Sequence, residues 1–320
     1  MSIAVRSLPI ANAQIANSQI ANSKAQIAAA YNEAGYRYGK YADGGGRTLF
    51  HFDGRHAYGD AKSWQVIEDR ILALRARGLK RLRVLDIGCG PGTWLRRVVV
   101  RARQLGFAEV IAHGVDIAET QLHRARALSR GLSTLEGVQI TFAQGDLRNE
   151  IAAPQADLCL CLYGVLNHVA VADLPQAMTR MARLTDGYFV ATVRAVGSQP
   201  TVYVDELSAA LRFHQDNQIH RLDVEFVNGR RVSFQSHLFS RAELSKLVSS
   251  DLEVEDIRGL DLFHGRFAGD PRWNPKIAAP LGRLSQELVR LEERYCRDPG
   301  FIDHAAHLLV VAKNPRMVQR

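Results

Sequence analysis

The segment of the sequence best suited to bind a ligand is the glycine-dense VLDIGCGPGT at residues 84–93. Its apolar beginning predicts a strand that ends at Ile87, and its end predicts a helix that starts at Thr93. Glycines let the backbone adopt positive φ and approach a ligand closely, because they lack a Cβ. The helix N-terminus behind the turn favours a negatively charged group. The segment therefore predicts a site for a dinucleotide or for another adenosine-containing cofactor.

The spacing of the glycines narrows that choice. Gly88, Gly90 and Gly92 form a G-x-G-x-G pattern, whereas the nicotinamide fingerprint is G-x-G-x-x-G. An acid, Asp86, also precedes the first glycine by two positions. Both departures disfavour a dehydrogenase, and the lack of a G-K-[ST] ending disfavours a phosphate-cradling nucleotide hydrolase. The structural alternative is a tight strand-to-helix turn that binds no ligand, at a cost in backbone entropy.

Four motifs in order give the sequence its resemblance to a known family. VLDIGCGPG resembles the first motif of class I S-adenosylmethionine (SAM) dependent methyltransferases. Residues 114–116 resemble the end of that family's second strand, where an acid holds the ribose hydroxyls, and residues 145–147 resemble the segment that contacts adenine. Residues 156–157 open a fourth strand, and YGVLNH at 163–168 follows its end. The resemblance covers residues 31–194 and implies SAM as the cofactor.

The chemistry of these residues fits that role. A carboxylate such as that of Asp116 has the lone pairs for two hydroxyl hydrogen bonds. The family's adenine contacts imply that Asp146 accepts from the amino group and that the Leu147 amide donates to a ring nitrogen. Either aspartate is also placed to cap the helix after it, which is the competing interpretation. The expected cofactor-binding residues are Asp86, Gly88, Cys89, Gly90, Gly92, Thr93, Asp116, Ile117, Gly145, Asp146, Leu147, Leu162, Asn167 and Tyr31.

Methyl transfer from SAM requires an acceptor nucleophile held in line with the methyl group and shielded from water. The expected catalytic residues follow the fourth and fifth strands and are His168, Tyr163 and Arg194. His168 suits a general base, since its ordinary pKa is about 6.5; alternatively it packs and holds its loop. Asn167 is expected to contact the cofactor through its amide. Arg194 is expected either to clamp a substrate anion or to pair with an acid of a neighbouring helix.

The elements that must position these residues alternate between apolar strands and amphipathic helices. This alternation predicts an α/β fold with a doubly wound, mostly parallel, Rossmann-like sheet. We expect seven strands, an antiparallel C-terminal edge strand, an N-terminal helical lid and a β-hairpin insertion around Asn228-Gly229. A helix is predicted at 202–214, and Ser240 with Glu243 predicts a capping box for a further helix.

No linker is rich enough to divide the chain into separate domains, so we expect one continuous fold. Residues 1–24 carry an IANAQ-type repeat whose five-residue period suits no helix face, and they predict a low-complexity, disordered leader. Residues 25–60 predict a lid segment and residues 61–200 the SAM-binding core. Residues 201–300 predict a substrate-cover insertion with the C-terminal part of the fold, and residues 301–320 the last strand and tail.

Composition limits the partners and the compartment. The net charge is +8, and most of the basic residues are arginine. This composition favours an anionic partner or reflects a GC-rich genome. Cys89, Cys159, Cys161 and Cys296 lack the paired spacing of a zinc site, so no metal is expected. With no export signal, the thiols are expected to be reduced, in the cytoplasm. No apolar run approaches the roughly 18–20 residues that cross a bilayer.

Three functions remain open at this point. The leading interpretation is methyl transfer from SAM to carbon, nitrogen or oxygen of a small molecule, with an anionic substrate as one option. A nucleic-acid (RNA) methyltransferase is disfavoured, because LYGVLNHV follows the fourth strand where base-modifying members carry (D/N)PP(Y/F) or Pro-Cys. A SAM-binding scaffold without activity is the third, because a fold does not by itself imply activity.

Overall fold

The computed structural model of the chain describes residues 25–29, 31–32, 49–52, 57–198, 210–264 and 283–319. The predicted leader and much of the predicted lid segment lie outside these residues. The helices are α1 (Ala57–Ala76), α2 (Thr93–Gln104), α3 (Glu119–Ser133), α4 (Leu174–Leu184), α5 (Arg241–Ser249) and α6 (Arg283–Tyr295). The strands are β1 (Arg81–Ile87), β2 (Glu109–Asp116), β3 (Val138–Gln144), β4 (Ala156–Cys161), β5 (Thr185–Arg194), β6 (Ala210–Asp216), β7 (Arg221–Phe226), β8 (Arg231–Gln235), β9 (Glu253–Leu260) and β10 (His307–Lys313).

Seven strands form the main sheet in the order β3-β2-β1-β4-β5-β10-β9. The pairs β2–β3, β1–β2, β1–β4 and β4–β5 are parallel, whereas β10 is antiparallel to both β5 and β9. The predicted fold class is confirmed. The antiparallel strand itself lies one position in from the edge, and β9 forms the edge.

The centre of the sheet is buried on both faces. Every residue of β4, with the sequence ADLCLC, is buried, as expected of a parallel strand that helices cover on both sides. Leu158 and Leu160 pack with apolar residues of α1 and α2 on one face. Cys159 and Cys161 pack with residues of α4 and α5 on the other. Two helical layers therefore hold the strand ends in a fixed position.

A smaller antiparallel sheet, β6-β7-β8, follows β5 in the chain. The hairpin predicted around Asn228-Gly229 is confirmed, with Gly229 at φ 80°. The helix predicted at 202–214 is wrong for its described residues, because β6 begins at Ala210. Phe213 pairs there with Val224 of β7. Cross-strand pairs of this kind outweigh a local helical spacing.

Two findings bear on the environment of the chain. All four cysteines are buried, free thiols, as predicted. Among the described residues, no helix is both long and apolar enough to cross a membrane. The cytoplasmic location stays a prediction.

The cap of α5 provides a test of local stability. The Ser240 hydroxyl accepts a hydrogen bond from the Glu243 N–H at 3.2 Å. We expect Ser240→Ala to lower the free energy of unfolding by about 1 kcal/mol, since it leaves that N–H without its cap. Urea denaturation measures this change. Ser250→Ala, at the exposed end of the same helix, is the control and should change stability by less than about 0.5 kcal/mol; equal losses would contradict the role of the cap.

Candidate functional site

The carboxyl ends of the parallel strands converge on one edge of the main sheet. β1 ends there at Ile87, β2 at Asp116 and β5 at Arg194. β10 begins at the same edge, where His307 pairs with Arg194. Parallel sheets bind ligands outside this edge. The loops that follow these strands therefore form the walls of the candidate site.

The glycine loop after β1 needs its glycines. Gly88, Gly90 and Gly92 adopt φ values of 72°, 51° and 74°, a region that side chains disfavour. A Cβ on Gly88 would also lie 2.1 Å from Cγ2 of Val165. The loop is thus a close backbone turn that leaves space in front of it.

That space is a cavity with about 800 Å³ of open volume. Its mainly apolar wall is typical of a small-molecule site. The predicted residues that line it are Tyr31, Gly88, Gly90, Asp116, Ile117, Gly145, Asp146, Leu147, Leu162, Tyr163 and His168. We call it the larger cavity.

Asp116 closes the larger cavity at the end of β2. Its two carboxylate oxygens accept hydrogen bonds from the N–H groups of Gly90 and Ala118, each at 2.8 Å. Burial raises the pKa of this carboxyl group, while these N–H donors lower it. Since Ala118 is the N-cap residue of α3, Asp116 supports that helix and faces the cavity at once. The contact of Asp116 with a cofactor stays a prediction.

Asp146 lies at the other end of the larger cavity and is held by a neighbour. The Arg148 guanidinium donates to its carboxylate, with Nη2 to Oδ2 at 2.9 Å and Nε to Oδ1 at 3.0 Å. Arg148 lines the same cavity. Because each carboxylate oxygen accepts more than one hydrogen bond, Asp146 keeps capacity for a ligand while its orientation is fixed.

His168 faces the larger cavity in a defined protonation state. Its Nδ1 lies 2.9 Å from the Gln235 carbonyl, so Nδ1 carries the hydrogen and donates it. The unprotonated Nε2 then accepts a hydrogen bond from the Tyr31 hydroxyl at 3.1 Å. Burial, with a contribution from Arg194, lowers the pKa of His168 to about 4. The imidazole is therefore neutral at pH 7 and presents a lone pair.

The N-terminal segment is bound to the core beside this histidine. The Tyr31 carbonyl accepts a hydrogen bond from Gln121 Nε2 at 3.0 Å. The Asn32 side chain accepts from the Thr120 hydroxyl at 2.9 Å. Burial, and then Asp116, raises the pKa of Tyr31 to about 12, so its hydroxyl stays protonated. Tyr31 thus lines the larger cavity while its main chain is bound to α3; the lid role of this segment stays a prediction.

A smaller cavity, with about 520 Å³ of open volume, lies behind the glycine loop and shares Gly88, Leu162 and Tyr163 with the larger one. The predicted residues Asp86, Cys89 and Thr93 line it. Asp86 is 2% exposed, and its Oδ2 has no hydrogen-bond partner among the described residues.

The surroundings of Asp86 set its charge. Burial, and then the charge of Asp116, raises the pKa of Asp86 to about 7. A buried carboxylate without a partner is costly. The smaller cavity therefore favours a cationic group.

Tyr163 stands between the two cavities in a strained conformation. Its φ is 59°, which is uncommon for a residue other than glycine and typical of functional sites. Its hydroxyl donates a hydrogen bond to the Asp60 carboxylate of α1. Its ring packs against that of Trp94, with 5.8 Å between the ring centroids. The Tyr163 hydroxyl is therefore bound to α1, and the Tyr163 ring separates the two cavities.

Three predicted residues lie outside the linings of both cavities: Gly92, Asn167 and Arg194. The Asn167 amide donates to the carbonyls of Arg194 and His237 and accepts from the Arg194 N–H. This geometry does not fit the predicted cofactor contact of Asn167, because the amide joins the loop to β5 and β8. Arg194 is largely buried, which lowers its pKa to about 10.

Four polar residues of the cavity walls escaped the sequence analysis: Asp60, Arg97, Gln121 and Arg148. Arg148 had a signal, since it follows Asp146 by two positions. Asp60 and Arg97 lie on helices and reach the site only through the packing of α1 and α2. No local pattern marks them.

Comparison with known proteins agrees with this geometry. Residues 84–187 match the family described as "Methyltransferase domain". A SAM-dependent methyltransferase from Clostridium acetobutylicum has a TM-score of 0.51 and 13% identity, over 87% of this chain and 98% of that one. The [4+2]-cyclase SpnF has a TM-score of 0.50 and 14% identity, over 92% of this chain and 97% of that one. No curated protein matches the sequence significantly.

At these identities the solved structures establish the fold alone. The matched domain spans β1 to the start of β5, which contains the glycine loop and the ends of β2, β3 and β4. The predicted resemblance to the class I SAM-dependent methyltransferases is confirmed. Residues 84–187 match a methyltransferase domain, and they lie within a Rossmann-like fold.

The electrostatics of His168 yield a direct test. Arg194 lowers the pKa of His168 by charge repulsion, so Arg194→Met should raise it above about 4, towards its ordinary value. Histidine NMR during a pH titration measures the shift, with His168→Gln to assign the signal. Arg221→Met, on exposed β7, should leave this pKa unchanged. A His168 that titrates near 6.5 in the unaltered protein would refute the buried, neutral state.

Proposed function

We propose that the chain transfers a methyl group from SAM to a small-molecule acceptor. The observation that carries this proposal is the pair of adjoining cavities around the glycine loop, with the buried acid Asp86 and the half-buried acid Asp116 in their walls. SAM combines a nucleoside with a charged amino-acid end. Each cavity offers a lining that matches one of these parts.

The smaller cavity fits the amino-acid end. Asp86 would hold the ammonium group, since its Oδ2 has no other hydrogen-bond partner among the described residues. Arg97, 4% exposed and stacked on Trp94, lines the same cavity and would attract the carboxylate. An acid and a base in one enclosed space suit a zwitterion.

The larger cavity fits the nucleoside. Asp116 would accept from the ribose hydroxyls, and Asp146 from the adenine amino group. Leu147, 5% exposed, would place its amide against the base. Ile117 and Val169 give the adenine ring an apolar surface. These roles agree with what the sequence motifs imply.

The chain's own contribution to catalysis lies in placement and hydrogen bonding. Bound SAM supplies a methyl group on a positively charged sulfur, which an acceptor atom displaces in line. His168 Nε2 would accept the hydrogen of an acceptor O–H or N–H once the Tyr31 hydroxyl moves aside. Arg194 would add the positive charge that favours an anionic acceptor, and the Tyr163 ring would exclude water.

The proposed division of the chain follows these roles. Residues 25–60 would form the lid, which the contacts of Tyr31 and Asn32 support. Residues 61–200 would form the SAM-binding core, which the cavities support. Residues 201–300 would cover the acceptor, which the contact between Gln235 and His168 supports. Residues 301–320 complete the sheet with β10.

The test of this function is turnover with SAM labelled in its methyl group and a cell extract as the source of acceptors. We expect label to pass a small-pore filter and to survive nuclease treatment. Gly90→Arg should abolish SAM binding and turnover, because its side chain would fill the larger cavity. Gly78→Arg is the matched control: Gly78 also has positive φ, 88°, but open space around it.

The outcomes separate the competing functions. Label retained by the filter and released by nuclease would favour a nucleic-acid acceptor. SAM binding by calorimetry without turnover would favour a scaffold. A lack of SAM binding in the folded, unaltered protein would refute the proposal.

The pH dependence of SAM affinity tests Asp86. Because the pKa of Asp86 is about 7 and the ionised form attracts an ammonium group, affinity should rise as pH rises through that value. Linkage predicts binding about tenfold weaker at pH 6 than at pH 7.5. Calorimetry at both values measures this ratio.

Asp86→Asn provides the control for that measurement. The variant should bind SAM more weakly at pH 7.5, with an affinity that is nearly independent of pH over the same interval. An unchanged pH dependence in Asp86→Asn would assign the titration to another group.

A further inference from the structure

The loop that carries His168 is held by hydrogen bonds to main-chain atoms at the end of β8 and two residues beyond it. The His237 N–H donates to the Asn167 carbonyl at 2.8 Å. The His237 carbonyl accepts from the Asn167 side-chain amide. Two residues earlier in the chain, the Gln235 carbonyl accepts from His168 Nδ1. The end of β8 therefore sets which nitrogen of His168 carries the hydrogen.

His237 fixes this end of β8 through its side chain. It is 5% exposed, and its ring contacts His220 and Phe239 edge-on at 4.6 and 4.5 Å. Its Nε2 lies 2.7 Å from Oε1 of Glu243, in the first turn of α5. Its Nδ1 lies 3.0 Å from Nδ1 of His220.

The positions of the hydrogens on the rings of His237 and His220 follow from their hydrogen-bond partners. A carboxylate only accepts, so His237 Nε2 carries the hydrogen that Glu243 receives. The Nδ1 atom of a neutral His237 is then the acceptor for His220. His220 has a φ of 52°, a strained conformation that the surrounding contacts must hold. Both ring nitrogens of His237 are thereby used to lock the end of β8.

We propose that His237 is a positioning residue for His168, with Glu243 and His220 as the two groups that hold its ring. This role rests on the proposed function of His168 in methyl transfer. His237 touches neither cavity lining. It acts through Gln235, whose carbonyl keeps the hydrogen on Nδ1 of His168. Nε2 then keeps its lone pair for the acceptor once the Tyr31 hydroxyl moves aside.

The test is the tautomer of His168, read in long-range ¹H–¹⁵N spectra of the full chain labelled at histidine, without SAM, at pH 7.5. The unaltered protein should show a protonated Nδ1 and an unprotonated Nε2. Glu243→Ala and His237→Phe should shift both nitrogen signals towards the average of the two tautomers. Glu243→Gln keeps an acceptor oxygen and should retain the unaltered pattern.

Controls distinguish this effect from loss of structure. Glu225→Ala removes an acid of β7 that pairs with Arg231 at 3.0 Å, and it should leave the His168 signals unchanged. Glu243 has a side chain 39% exposed, so Glu243→Ala decides the matter if His237→Phe fails to fold. A folded Glu243→Ala protein with the unaltered His168 pattern would overturn the proposal.

Turnover gives a second readout. Glu243→Ala should lower kcat about tenfold, part of the 10²–10⁴ that positioned acid–base groups contribute, with KM for SAM changed less than twofold and with recovery in Glu243→Gln. A tautomer shift in a chain that transfers no methyl group would refute the proposed function and support the positioning role. Methyl transfer with no tautomer shift would do the reverse.

Discussion

The structure depends on two carboxyl groups at one edge of a parallel sheet, that of Asp86 buried and that of Asp116 half-buried. Asp86 and Asp116 lie on either side of the glycine loop, and the charge of Asp116 adds to burial in raising the pKa of Asp86. Asp116 is stabilised by two N–H donors, but the Asp86 oxygen that faces the smaller cavity has no such donor among the described residues. This arrangement favours a cation in the site, and the sulfonium and ammonium of the proposed cofactor would both meet that demand.

Around these acids, the architecture separates rigid from adjustable parts. The glycine loop, Asp116 and Asp146 follow or end paired strands of the main sheet, and direct hydrogen bonds hold the two aspartates. Tyr31 and His168, in contrast, meet through one hydroxyl, and each is held from a different element: Tyr31 by α3 and His168 by β8. The proposed chemistry at Nε2 of His168 thus depends on contacts with α3 and β8, which lie far apart in the chain.

The sequence predicted what local patterns encode. The apolar residues 158–162 of and after β4, the glycine spacing after β1 and the serine before α5 each specify an element by themselves. Prediction failed where distant residues decide. The strand β6 exists because Phe213 meets Val224, and the Asn167 amide is used by β5 and β8. Asp60 and Arg97 reach the site only after α1 and α2 pack. Those features need the folded chain.

The place of β10 has a consequence for biogenesis. It lies between β5 and β9, so residues 253–260 cannot join the sheet until the ribosome has made residues 307–313. Until then the open side of β5, an apolar strand, is an exposed edge of the kind that pairs with other chains. A stall or nonsense codon before residue 307 would leave the cofactor-binding half largely translated but prone to aggregate. Such a fragment would be a substrate for chaperones and proteases. The fate of the whole domain would therefore depend on the synthesis of β10.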